Sequence, residues 1–205
     1  GGVRVTTELE QALERVGPVD ASAAQERFLR RAIEEGLVDV AYSPVDSPVG
    51  ELVAAVTPRG LVRLAYEDGR GDAVLSELAA RVSPRVIEAP ARLDDVRRQL
   101  DEYFEGRRQT FDLGIDWTLA RGFTRRVLQS TAQVAFGALA TYREVASGAG
   151  NAAAVRAAGN ALGANPMPIV VPCHRVVRTG GALGGYTGGV ERKEYLLSLE
   201  GALPA

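Results

Sequence analysis

The only cysteine and the only histidine of this 205-residue chain are neighbours, Cys173-His174. A thiol becomes a strong nucleophile as the thiolate, so an adjacent imidazole that takes its proton, directly or through water, is the economical partner. Chance adjacency of one Cys and one His in a chain of this length is about one in a hundred. An apolar, strand-like run, Ile169-Val170-Val171, is stopped by Pro172 immediately before the thiol. A lone buried Cys is otherwise an inert small hydrophobe; the neighbouring His and the flanking prolines favour a rigidly held, partly shielded nucleophile. One thiol forms no internal disulfide, and two soft ligands fall short of the roughly four that a closed zinc site needs. The pair defines a nucleophile without naming its reaction.

The elements that must hold this pair can be read from composition and periodicity. At 46% hydrophobic residues the chain can bury one large core or two small ones. No apolar run approaches the length of a membrane helix, and Gly1-Gly2-Val3-Arg4 lacks a secretory stretch, so a cytoplasmic protein is expected. The net charge of -2 conceals an asymmetry: residues 121–205 carry nine Lys and Arg against four Asp and Glu, and residues 1–120 carry 15 against 22. The C-terminal part is therefore the candidate polyanion-binding half, although charge alone does not identify DNA.

Three segments are expected. Residues 1–37 read as a helical extension, with Leu9, Leu13, Val16, Phe28, Ala32 and Ile33 at helical spacing and Gly17-Pro18 dividing it. Residues 38–115 read as a small α/β domain. Strands over 38–42, 51–56 and 61–66 form an antiparallel meander through turn-rich connections, and a helix over 73–82, a strand over 85–88 and an amphipathic helix over 93–105 follow. Residues 116–205 read as mostly helical, with helices over 122–136, 142–147 and 152–162 and a tight Gly148-Ala149-Gly150-Asn151 connection.

A short helix, a Gly-containing turn and a second helix fit a helix-turn-helix, and equally an ordinary helical hairpin. In the helix over 152–162 nearly every side chain is small, and Arg156 carries the only charge. A major-groove reader normally presents several long polar side chains. Small residues instead permit close approach to a narrow groove, leaving Arg156 to probe the base stack; a tightly packed core helix with one solvated arginine fits the same residues.

Pro172-Cys173-His174-Arg175-Val176 resembles the active-site signature of the methylated-DNA-protein-cysteine methyltransferases, or O6-alkylguanine-DNA alkyltransferases, and the resemblance extends over residues 38–201. It implies a mixed α/β (α+β) fold, with an N-terminal antiparallel sheet with helices, ribonuclease-H-like, and a mostly helical C-terminal domain with a winged helix-turn-helix. It implies a single-turnover, irreversible transfer of an alkyl group from O6-alkylguanine in DNA, and by extension O4-alkylthymine, to Cys173. His174 then corresponds to the base acting through a water, Glu200 to the carboxylate orienting it, Asn165 to the support of the active-site turn, and Tyr142 to the residue that meets phosphate and assists base rotation. Arg156 corresponds to the arginine that fills the vacated stack, with Ala157, Ala158, Gly159 and Arg175 as further DNA contacts. Tyr186, Thr187, Val176 and Pro168 correspond to the guanine pocket. The implied partner is double-stranded DNA bearing alkylated guanine, with room for cooperative self-contacts on DNA by an otherwise monomeric protein; no cofactor, metal or membrane is implied. The N-terminal zinc site and second active-site thiol of some members have no counterparts here.

Two readings compete outside alkyl transfer: a turnover cysteine hydrolase, which needs an oxyanion hole, and a helix-turn-helix regulator, which the small-residue helix disfavours. Within the family, a non-catalytic damage sensor would replace the nucleophile, and Cys173 is present.

Overall fold

The mostly buried run Val40-Ala-Tyr-Ser-Pro-Val45 opens a four-stranded sheet in the computed structural model, which describes residues 27, 31, 32 and 35–203. The expected extension over 1–37 lies almost wholly outside the described residues. Contacts divide the chain at Val38, and Asp39–Ala205 forms one unit.

Strands β1 (Val40–Val45), β2 (Leu52–Thr57) and β3 (Gly60–Tyr66) form the expected antiparallel meander, with Ala41 opposite Val56 and Leu52 opposite Tyr66. Strand β4 (Val86–Glu88) joins β1 in parallel, giving the order β3-β2-β1-β4. The β1 strand runs through Pro44, where the sequence suggested a turn. The backbone groups of Val40 and Tyr42 point toward β4, whose pairing ends at Tyr42, so the missing N–H of Pro44 faces an unpaired side and interrupts no ladder. Helix α1 (Gly71–Arg81) buries Val74 and Leu78 among Val40, Val53, Ala55 and Val62. Each such side chain contributes about 1.5–3 kcal/mol when fully buried. Helix α2 (Asp94–Phe104) follows the turn Pro90–Leu93 and buries Val96, Leu100 and Tyr103.

The crossing into the second half is locked by backbone. Leu61 N–H donates to Gly114 O (2.8 Å) and Asp116 N–H to Leu61 O (2.8 Å). A Cβ on Gly60 would lie 2.1 Å from Gly114 O, so glycine is required there by contact as well as by its φ of +125°. The buried Asp116 carboxylate then accepts from Thr57, Arg59 and Thr118.

Helices α3 (Gly122–Thr131), α4 (Tyr142–Gly148) and α5 (Val155–Gly163) pack on one another. Thr141 and Glu144 form a reciprocal capping box at the start of α4. Two expected boundaries move. The α3 helix stops at Thr131 rather than 136: the N–H groups of Gln133 and Val134 bond three residues back, to Ser130 O and Thr131 O, and Val134 O accepts from Arg175. The α5 helix begins at Val155 rather than 152, because the Asn151 side chain takes the N–H of Ala153 in a turn. A two-stranded pair, β5 (Ala140–Thr141) with β6 (Val176–Val177), and the turn over 178–182 accompany the helix pair, and α6 (Val190–Leu199) closes the fold. The mixed α/β architecture is the expected one. Among the described residues no helix is long and apolar enough to cross a membrane.

Candidate active site

Asn165, just beyond α5, organises the segment before the thiol. Its Oδ1 accepts from Met167 N–H (3.0 Å), and its Nδ2 donates to Val171 O (2.8 Å) and to Cys173 Sγ (3.1 Å). The run over 169–171 is consequently a tight turn and not the strand-like stretch expected, with Ile169 at a φ of +75°. A β-branched residue held in that region is strained, and the surrounding bonds must over-determine it. Cys173 then begins a single 3-10 turn, Cys173–Arg175.

Glu200, at the C-terminus of α6, gathers donors from four other residues of the chain. Oε1 meets His174 Nε2 (2.9 Å), Tyr103 OH (2.7 Å) and Arg175 Nη2 (2.9 Å); Oε2 accepts from Arg175 Nε (2.8 Å) and Gly137 N–H (3.4 Å). Burial alone would raise this carboxyl, but hydrogen bonds from His174 and Arg175 bring it down to about 2, so it is ionised. The proton on the imidazole must then sit on Nε2. The other ring nitrogen, Nδ1, is buried without a hydrogen-bond partner among the described residues and carries the free lone pair. Burial, opposed by Glu200, holds His174 below its ordinary value, which keeps the ring neutral near pH 7 and able to accept a proton. Burial pushes the Cys173 thiol up to about 11, opposed by Asn165 and by the charge of Lys193. The resting pair is therefore thiol and neutral imidazole, and the base must act for the sulfur to react.

Cys173 opens onto a cleft of about 610 Å³. One wall is the outer face of α5, with Val155, Arg156, Gly159 and Asn160; across it stand Tyr142, Arg178, Tyr186 and Thr187. Arg156 is exposed on that face, and Ala157 is exposed beside it without lining the cleft. Thr187 Oγ1 donates to Gly163 O (3.1 Å), tying the loop to the end of α5.

Four expected contacts are placed elsewhere. Arg175 is buried, with its guanidinium spent on Glu200 and Val134 O, and offers nothing to DNA. Ala158 faces inward on α5. Val176 is buried, its N–H closed onto Cys173 O and its carbonyl accepting from Lys193 Nζ (2.6 Å). Pro168 lines a separate small cavity with Tyr66 and Asp68. In each case the helical phase or the tight turn, invisible in a motif, decides the direction.

Tyr66, Tyr103, Arg178 and Lys193 were not singled out in the sequence. Tyr66 and Tyr103 lie far from the motif along the chain, and only folding brings them in. The two signals available were an arginine directly after Val177 and Lys193, a basic residue in the stretch after the Gly184–Gly189 loop. Among the described residues no cluster of three or more Cys, His, Asp and Glu is arranged to hold a metal.

Residues 40–117 match the model of the 6-O-methylguanine DNA methyltransferase ribonuclease-like domain, and residues 122–202 that of the 6-O-methylguanine DNA methyltransferase DNA binding domain. The chain belongs to this family. A methylated-DNA--protein-cysteine methyltransferase of Mycolicibacterium paratuberculosis is 37% identical, with 78% of this chain and 92% of that protein covered. The Homo sapiens protein of the same name is 34% identical over 77% and 78% of the two chains. A crystal structure of Mycobacterium tuberculosis OGT in complex with DNA, 34% identical, superposes with a TM-score of 0.67 over 79% of this chain and 93% of that one. In the family's two-part layout the thiol, its base and the cleft walls fall in the second match, while Tyr66 and Tyr103 reach the site from the first.

Proposed function

We propose that the protein repairs alkylated DNA directly by moving the alkyl group from O6 of guanine, and by extension O4 of thymine, onto Cys173. The observation that carries this reading is a buried thiol, beside a base oriented by an ionised carboxylate, opening onto a cleft beneath an exposed helix of small residues and one arginine. His174 Nδ1 takes the thiol proton through a water. The sulfur then attacks the alkyl carbon, the carbon–O6 bond breaks with its electron pair going to the base, and a returning proton leaves ordinary guanine. The product thioether has no easy leaving reaction, and the sequence holds no second thiol to regenerate Cys173. Segments 38–115 and 116–205 would act as a supporting and a reacting half.

O6 is hidden in a duplex, so the nucleotide must turn out into the cleft at a cost of a few kcal/mol. Arg156 fills the gap, with Ala157 and Gly159 allowing close approach and Tyr142 meeting the adjacent phosphate. Incubation with excess duplex containing O6-methylguanine should consume one lesion per protein molecule and place one methyl group on the peptide containing Cys173. Product in excess of protein would point to a turnover enzyme, and an adduct elsewhere would remove Cys173 from the mechanism.

The two exposed arginines of the cleft separate by role. Arg156→Ala is expected to slow the saturated single-turnover rate on duplex DNA while leaving reaction with free O6-benzylguanine nearly unchanged, because a free base needs no extrusion. Arg178, at the edge of the turn over 178–182, is assigned to backbone phosphate. Arg178→Ala should lower affinity and reduce the salt slope by about one, with the saturated rate intact. A normal saturated rate for Arg156→Ala would make it a positioning charge as well.

A further inference from the structure

The loop bearing Tyr186 is tied to the N-terminal sheet by side chains that the transfer chemistry does not itself require. Tyr66 ends β3, and its phenol lies 2.9 Å from the phenol of Tyr186, with the rings T-shaped and their centroids 6.2 Å apart. Gly188 passes so close that a Cβ there would stand 2.4 Å from Tyr66 Cε2, a space no other residue could use. The Arg192 guanidinium lies over the Tyr66 ring at 4.3 Å, and Asp68 (2.6 and 2.7 Å) and Val49 O (2.7 Å) hold it there. Tyr66 is thus a fixed point of the sheet, only 6% exposed. Tyr186 is not so supported: it stands in an irregular loop, lines the cleft with Cys173, and crosses the His174 ring edge-on at 6.3 Å. Burial, opposed by the bond to Tyr186, pushes Tyr66 up to about 12, so the phenol stays protonated at working pH.

Resting on the alkyl-transfer reading of the cleft, we infer that Tyr66 is a positioning residue that sets the size of alkyl group accepted, because its hydroxyl fixes how far the Tyr186 wall stands from Cys173. Deleting the hydroxyl leaves the ring beneath Arg192 and against Gly188 but frees Tyr186 to move outward. A methyl group would then be held less well, whereas a benzyl group gains room.

The test compares saturated single-turnover rates of wild type and Tyr66→Phe on one duplex carrying either O6-methylguanine or O6-benzylguanine. The variant should unfold within a few degrees of wild type, and its benzyl-to-methyl rate ratio should rise about fivefold, the effect of losing one neutral hydrogen bond. Tyr186→Phe, which removes the same bond from the other side, should give a similar shift, and the double variant should add little to either. An unchanged ratio, equal slowing on both duplexes, or additive shifts would overturn the inference. A wild type that alkylates Cys173 from neither duplex would sink the reading of the cleft and this inference together; a working wild type with an unchanged ratio in Tyr66→Phe sinks the inference alone.

Discussion

Cys173→Ser is expected to transfer no alkyl group at any pH between 6 and about 9, while binding duplex DNA within about twofold of wild type. A hydroxyl is far less acidic than a thiol, and the thiol here already stands at about 11. The single base, His174, is held below its ordinary value by burial and could not ionise a serine. The fold should survive, since serine can still accept from Asn165 Nδ2 where the sulfur does. Mass spectrometry after prolonged incubation with O6-methylguanine duplex, beside an electrophoretic binding assay, checks both halves. An adduct on the Cys173→Ser variant would place the acceptor elsewhere.

Glu200→Gln is expected to combine the largest loss of stability with a loss of rate. An amide in place of the carboxylate leaves the buried Arg175 guanidinium without its counter-charge and turns an NH2 toward donors from Arg175, Tyr103 or His174. Removing one partner of a buried pair costs about 3–5 kcal/mol, which for a protein of this size lowers the melting temperature by roughly 10 °C. His174→Phe keeps the Arg175–Glu200 pair and should be less destabilised, yet share a rate loss of about 10²- to 10⁴-fold near pH 7. The pH profile separates the causes. Wild type should hold its rate down to a pH below 6.5, because burial disfavours the charged ring. His174→Phe should gain about tenfold per pH unit as the thiolate fraction grows toward the thiol's value of about 11. Equal rates for wild type and His174→Phe at pH 7 would remove the relay.

Stability carries its own signature of the same carboxylate. Glu200 falls from an unfolded value of 4.5 to about 2, so its contribution is complete above 4.5 and disappears as pH falls toward 2. His174, whose folded value also lies below its free one, destabilises the fold in the same direction as acid protonates the unfolded chain from 6.5 downward. Glu200→Gln should therefore lose the lower part of the acid limb and keep the upper.

Cys173, His174 and their rigid setting were legible in the chain because the chemistry sits on adjacent residues beside prolines. The three-strand meander was equally legible, its short apolar runs lying between turn residues. Asn165, Glu200, Tyr142 and Tyr186 carry no local signal of their role and were assigned by resemblance, whereas Arg156 stood out as the one charge on a helix of small residues; the structure brings Asn165 onto the sulfur, Glu200 onto the imidazole and Tyr142, Arg156 and Tyr186 to the cleft. What the chain could not disclose was direction. Arg175 follows His174 immediately and was assigned to DNA by resemblance, yet the single 3-10 turn at 173–175 rotates it inward onto Glu200. The parallel β4, the early end of α3 at Thr131 and the turn at 169–171 have the same origin. Each depends on a hydrogen bond to a partner outside the element, and local periodicity holds no information about that partner. The nucleophile and its base were thus determined by covalent neighbourhood alone. The protonation state of both, and the pocket they serve, were decided by tertiary structure, because burial and the donors around Glu200 come from segments nearly a hundred residues apart.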